Sequence, residues 1–456
     1  MTKPPGASRA LADFATDLRL DNLPTVVSGQ AIRCLVDWLG CVLAGSATPD
    51  LRRVRAAIRA LDRVDGSHAA GIVGTRQRTS PAFAALANGI AAHVLDFDDT
   101  FNPERTTIHS SAPLWSAIAA ASEVVSVSGR QAIEAFVAGF EVQARIALAA
   151  GPAHYDAGWH VTGTVGHVGA AVATAKVLRL SPEKALAAIG TGATQAAGMK
   201  VVYGSTGKPL HAGKAASDGL VSAFLAREGV TSAPDPIEGH RGFWHLFTDE
   251  ADPSYVFGGL GSEWHLPRNG FKPYACGSLT HPPAQAVLHL RDQSGLGPGD
   301  VVSVEAHVHD YVRTTTGVED PENGLQAKFS IYHVLASALV DGKLMPTQFS
   351  DEAVRRPEVV ALRRLVRVHT DHDQAKDSAR VVVTLRDGRK LEHTVLHNLG
   401  TPDNPMSDAQ LADKLSELVT PVIGGAEARR LTSTALRLLD LRDLRTVLDL
   451  AVPSAG

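Results

Sequence analysis

The chain has 456 residues, more than one compact core holds, so two domains or one large domain with an insertion are expected. Hydrophobic residues make up 44% and charged residues 20%, and the net charge of -4 comes without any block of basic residues. This removes the electrostatic case for nucleic acid and obliges an anionic substrate to find a local positive site. Cys34, Cys41 and Cys276 are odd in number, scattered and without a CxxC pair. That speaks against a disulfide framework and against a thiolate zinc or iron–sulfur centre, a common device for dehydrating hydroxy acids.

The N-terminal stretch MTKPPGASRALADFATDL lacks an apolar signal core, so a cytoplasmic location is expected. Residues up to about 260 are rich in Ala, Leu and Val and read as helices. Ser80-Pro81 has the form of an N-cap and first-turn proline, predicting a helix from 81 to about 94. Ser128 with Gln131 forms a capping box before a helix over 129–150. Residues 157–175 carry no formal charge and are the best membrane candidate. Their glycines, threonines, His160 and His167 read instead as a buried helix, so no membrane is expected. Ser181-Pro182-Glu183 opens a further helix, and 165–178 and 185–199 are apolar nearly all round, as inside a bundle.

After about 265 the character changes. VVSVEAHVH (301–309) alternates as a strand, 380–385 and 390–396 flank the hairpin signal Asp387-Gly388, and 328–341 is helical. Ser407 with Gln410 starts another helix, and 425–450 reads as helical again. The expected fold is mostly α: a large all-helical domain over 1–265, an inserted small α+β lid domain over 266–398, and C-terminal helices over 399–456 that return to the first domain.

Four segments carry candidate chemistry. HVLDFDDT (93–100), followed by His109, sets three carboxylates at the end of an apolar helix, where negative charge is disfavoured. It reads as a solvated acidic turn, as a magnesium site, or as an aspartate that orients a histidine acid/base. GWHVTGT (158–164) sets His160 among small residues, either as a hydrogen-bonded core histidine or beside a ligand. GKPLHAGK (207–214) puts lysines at a helix start, which suits a bound anion or simply solvated ammoniums. FKPYAC (271–276) lies at the domain junction, as a surface loop or the wall of a cleft. Nucleotide-binding glycine loops, a GxSxG elbow and HExxH are absent from the sequence, which narrows the field to side-chain acid/base chemistry.

Taken in order, ANGIAAHVLDFDDT, HSSAP, GWHVTGTVGHVGAA, KPLHAGKAA, FKPYACGSLTHP, GLQAKFSIYHVLASALVDG and NPMS resemble the MmgE/PrpD family over nearly the whole chain. That family includes 2-methylcitrate dehydratase, cis-aconitate decarboxylase and iminodisuccinate epimerase. The resemblance implies an all-helical domain with a small α+β lid, usually in a homodimer. It points to Asp96 and Thr100 in DFDDT, His109 in HSS, His160 in GWH, Lys208 in KPLH, Lys272 in FKPY and Tyr332 in KFSIY. The stretch between Thr100 and His109 is longer than the family's and holds Glu104 and Arg105, and Ser110 stands where proline is common. The decarboxylase branch carries a histidine five residues after the lysine of FKPY, where this chain has Gly277.

The expected protein is a metal- and cofactor-independent lyase that moves a proton at a carbon next to a carboxylate of a small di- or tricarboxylate. A 2-methylcitrate dehydratase-like reaction is the first reading. An iminodisuccinate epimerase-like or cis-aconitate decarboxylase-like reaction is the alternative, and a non-catalytic dimeric scaffold is the reading from a different class. In the enzyme, Lys208 and Lys272 clamp the substrate carboxylate, and His109 and His160 are base and acid. Asp96 fixes a histidine tautomer, Thr100 ties down the loop, and Tyr332 donates to a carboxylate.

Overall fold

A computed structural model describes residues 6–62, 64 and 69–454. The first five residues of the stretch read for a signal core lie outside the described residues. The helical body is built from long apolar helices, chiefly Thr25–Ser46, Pro81–His93, Ser111–Ser122, Gly129–Ala150, Val161–Val177 and Gly207–Arg227. Ser111–Ser122 is buried at every position, which explains its all-round apolar sequence. Gly129–Ala150 starts at the full capping box of Ser128 and Gln131. Thr25–Ser46 has the length and composition to cross a bilayer, but 72% of its most apolar window is buried inside the protein.

Small residues let these helices pack backbone to backbone. A Cβ added at Gly89 would stand 2.7 Å from the Cα of Gly213. This contact brings the end of Pro81–His93 beside the start of Gly207–Arg227, and so sets Asp96 against Lys208. The site is thus prepared by two glycines that carry no chemistry themselves.

The small domain holds a four-stranded sheet in the order Val366–Asp371, Val301–His309, Ala379–Leu385, Lys390–Val395. The first pair is parallel and the others antiparallel. The hairpin turns at Gly388, whose φ of 87° fits the left-handed position that glycine accepts. The strand Val366–Asp371 has no counterpart in the sequence reading. Its residues VRVHTD mix apolar and charged groups, and its partner is distant in sequence.

Other elements differ from expectation in their bounds. The helix expected through 199 is Pro182–Ala193, after which Gly198 takes a φ of 134°. The helix expected over 328–341 starts at Ile331, because the Ser330 hydroxyl accepts from the His333 amide and caps it there. The stretch 425–450 is broken after Leu436 into short turns of helix. Asp408–Ile423 packs back on Thr25–Ser46, with Gly40 in contact with Leu415 and Leu418. This return delivers Lys414 to the site described next.

Candidate active site

The turn after Pro81–His93 runs through Asp96, whose φ of 50° lies in the left-handed region that costs a non-glycine residue about 1–2 kcal/mol. Three buried ammoniums hold it there. Lys328 donates to the carbonyl of Leu95 at 2.6 Å, Lys272 to that of Asp96 at 3.0 Å, and Lys414 to that of Phe97 at 2.7 Å. These charge-assisted bonds also complement the negative end of the helix dipole. The negative end of the helix and the Asp96 carboxylate are therefore met by buried cations, and Asp96, Asp98 and Asp99 are all buried. A solvated acidic turn is excluded.

Each carboxylate has a different task. Asp99 accepts from the Ser111 hydroxyl and from Asn269 Nδ2, both at 2.6 Å, and fastens the turn to the next helix. Burial pushes its carboxyl up to about 7. Asp98 accepts from His93 Nδ1 at 2.8 Å and lies 3.6 Å from His109 Nδ1. Asp96 pairs with Lys208 and, at 3.1 Å, with Lys272. Burial alone would raise the Asp96 carboxyl, but the two ammoniums outweigh it and hold the group well below the ordinary range. Asp96 is thus a counter-ion for lysines, and the role of orienting a histidine falls to Asp98.

Lys208 Nζ lies 5.4 Å from the ring centre of Tyr203 and 5.2 Å from that of Phe329. Burial lowers its pKa, with Asp96 opposing and Lys272 assisting, which makes it a better acid than a solvated lysine. His109 Nδ1 is 3.0 Å from the Asp99 carbonyl oxygen and 3.3 Å from Thr100 Oγ1. A carbonyl only accepts, so Nδ1 carries the proton and the free lone pair of His109 is on Nε2. Burial holds His93, His109 and His160 well below the usual histidine range, so all three are neutral near pH 7. They are ready to accept a proton rather than to give one. His93 Nε2 and His160 Nε2 are buried without a hydrogen-bond partner among the described residues.

Ligand-type atoms of His93, Asp98 and His109 lie within 4.8 Å of one another. Their nitrogens and oxygens are already engaged with each other and with a carbonyl, an arrangement suited to hydrogen bonding.

A cavity of about 110 Å³ opens beside these groups. Asp96, Thr100, His109 and Lys208 line it from the helical body, Lys272 from the junction, and Gly277, Thr316, Phe329 and Lys376 from the later part of the chain. Five of the expected residues thus converge: Asp96, Thr100, His109, Lys208 and Lys272. His160 sits behind the wall, its ring 5.7 Å from that of His93 and its Nδ1 3.0 Å from His211 Nδ1. Tyr332 is not among the lining residues. It is flanked by the buried Ile331 and His333 on one helix, so it faces the other way, toward Glu319, Arg313 and Arg367. Tyr203 takes the place expected for it.

Sequence reading missed His93, Asp98, Tyr203 and Lys376 as site members. The five-residue spacing of His93 and Asp98 across a helix end was the one available signal. Nothing in the sequence marks Tyr203 or Lys376.

Residues 9–256 match the MmgE/PrpD N-terminal domain and residues 274–439 match the MmgE/PrpD C-terminal domain. The chain belongs to the MmgE/PrpD family. It is similar to the cis-aconitate decarboxylase of Aspergillus terreus, 28% identical over 98% of this chain and 96% of that one. It is also similar to the cis-aconitate decarboxylase of Homo sapiens, 26% identical over 94% and 92%, and to that of Mus musculus, 25% identical over 96% and 91%. With this family and these relatives, the protein is a lyase. The relatives bear the name of the alternative reaction, not of the dehydratase first expected.

Proposed function

We propose that the protein decarboxylates a small unsaturated tricarboxylate of the aconitate type. The observation that carries this reading is the buried Lys208–Asp96–Lys272 cluster on the cavity wall, two ammoniums against one carboxylate. Its excess positive charge is matched to a substrate carboxylate in a place where water is scarce. In the step itself, the bond from an allylic carbon to its carboxylate breaks and carbon dioxide leaves. The electron pair forms a new C=C bond, the old C=C shifts its pair to the carbon beside another carboxylate, and that carbon takes a proton. Lys272 neutralises the adjacent carboxylate, and Lys208 supplies the proton. The relatives named above support this choice of reaction.

Dehydration of a 2-methylcitrate-type hydroxy acid is the second reading, and two observations favour it. Gly277 lines the cavity at the position where the family resemblance implies a histidine for the decarboxylase branch, and His109 offers a neutral Nε2 that would remove a proton next to a carboxylate. Proton NMR in deuterated water with cis-aconitate, 2-methylcitrate and iminodisuccinate separates the reactions. Decarboxylation consumes cis-aconitate, releases carbon dioxide and places one deuterium on the product. Loss of water from 2-methylcitrate alone would transfer the assignment to the second reading. No turnover or exchange with any of the three would defeat both.

Homodimerisation through the helical body belongs to the same proposal. Met199 and Val201 are 59% and 83% exposed on a surface near the cavity, where a second copy would cover them. Light scattering is expected to give twice the chain mass at micromolar concentration, and a monomer there would contradict the idea.

A further inference from the structure

The ammoniums and carboxylates around the cavity leave one cation without an assigned task. At the inner end, Lys208 and Lys272 face Asp96, an excess of one positive charge and enough for one substrate carboxylate. A polycarboxylate brings at least one more, and the cavity must meet it elsewhere.

Arg105 and Lys376 are the remaining cations on the wall. Arg105 is already committed: its Nε donates to the Leu148 carbonyl at 3.1 Å and its guanidinium lies 4.8 Å from the Tyr255 ring centre. Lys376 is not. It is half-buried, in the loop between the strands Val366–Asp371 and Ala379–Leu385, and lies within 4.0 Å of no carboxylate among the described residues. The ring of Tyr311, 4.8 Å from its Nζ, supports the ammonium without neutralising it. Glu104 and Asp156 share the same rim but stand beyond ion-pairing distance of the Lys376 ammonium. Lys376 also lines an adjoining groove of about 570 Å³, so it stands between the inner cavity and a wider opening.

We propose that Lys376 is the specificity-determining cation that reads a second, distal carboxylate of the substrate, and so selects tricarboxylates over dicarboxylates. The inference rests on the polycarboxylate reading above. In this arrangement the helical body supplies the cluster that meets the reacting end, while the small domain supplies the group that measures the length and charge of the other end. A dicarboxylate would fill the inner position and leave Lys376 without a partner.

The test is calorimetric titration of the full-length protein with two unreactive probes, tricarballylate and 2-methylsuccinate, which differ by one terminal carboxylate. The wild type is expected to bind tricarballylate more tightly. Lys376→Met should weaken tricarballylate by about tenfold or more, the scale of one charge-assisted hydrogen bond, and change 2-methylsuccinate less than about twofold. Lys376→Arg should restore most of the preference. Because Lys376 sits on a half-exposed loop, both variants should melt close to the wild type. If the wild type binds tricarballylate but Lys376→Met keeps the full preference, Lys376 is not the determinant and the polycarboxylate reading stands. If the wild type binds neither probe, the polycarboxylate reading falls and takes this inference with it.

Discussion

Lys208→Gln is expected to lower kcat by about 10²–10⁴-fold, the usual range for loss of a general acid, and to raise KM as well, because the cluster with Asp96 and Lys272 loses its excess positive charge. The glutamine amide keeps a donor for Asp96 but has no proton to give. Asp96 retains Lys272 at 3.1 Å, so the buried carboxylate is not stranded and the fold should survive. Lys208 is the group for this task because the alternatives are in the wrong state. Burial keeps His93, His109 and His160 neutral, and it pushes the Tyr203 phenol well above its ordinary value. The same burial lowers Lys208 toward a range where it releases a proton. His109→Gln then distinguishes the two reactions. Dehydration needs a base and should lose a similar factor, whereas decarboxylation needs only the acid and should lose far less. If dehydration operates, its activity should hold as pH falls through the usual histidine range, because His109 stays unprotonated there. Steady-state kinetics with circular dichroism as the folding control decides the matter. Near-normal kcat in a folded Lys208→Gln protein would remove the acid from this mechanism.

Lys414→Met should be the most destabilising single change of those considered, by about 3–5 kcal/mol, the cost of breaking a buried ion pair from one side. Lys414 is 7% exposed and donates to Asp37 at 2.7 Å, to the Phe97 carbonyl at 2.7 Å and to the Lys272 carbonyl at 2.9 Å. Methionine fills the volume but leaves the Asp37 carboxylate buried without its cation. Burial already raises the Asp37 carboxyl in the intact protein, with Lys414 opposing, and the substitution raises it further. A folded pKa above the unfolded one contributes stability that is full below the unfolded value and is lost as pH rises through the folded value. The deficit should therefore be largest near pH 7.5 and shrink toward pH 5. Urea unfolding at the two values measures it. A loss below about 1 kcal/mol, or one independent of pH, would mean that water or another group satisfies Asp37.

Much of the architecture is legible in the sequence because local signals and burial agree. Ser128 with Gln131 and Ser407 with Gln410 mark helix starts that the structure keeps, and Asp387-Gly388 marks the hairpin. The ordered motifs led to five of the residues that line the cavity. What sequence could not give is direction. Asp96 and Asp98 are both buried, but the left-handed turn at Asp96 sends one carboxylate to the lysines and the other to His93. Tyr332 belongs to a recognisable motif, yet its helix turns it away from the cavity. Lys376 comes from an irregular loop whose approach to Thr100 and Lys272 depends on how the sheet sits on the helices. The strand Val366–Asp371 stayed hidden for a related reason: its partner lies far away along the chain.

The three lysines on the carbonyls of Leu95, Asp96 and Phe97 come from residues 272, 328 and 414, so a turn formed early in the chain is completed only by its last third. During synthesis the helices before residue 260 would emerge and pack long before Lys414 leaves the ribosome. Until then the Asp96 turn lacks part of what keeps its backbone left-handed, and the nascent chain should be catalytically silent. Proteolytic trimming from the C-terminal end would undo the same arrangement from outside, ending activity before it erased the helical content. Catalysis in this protein is thus tied to residues as far along the chain as Lys414, and an activity assay doubles as a readout of whether that late helix has docked.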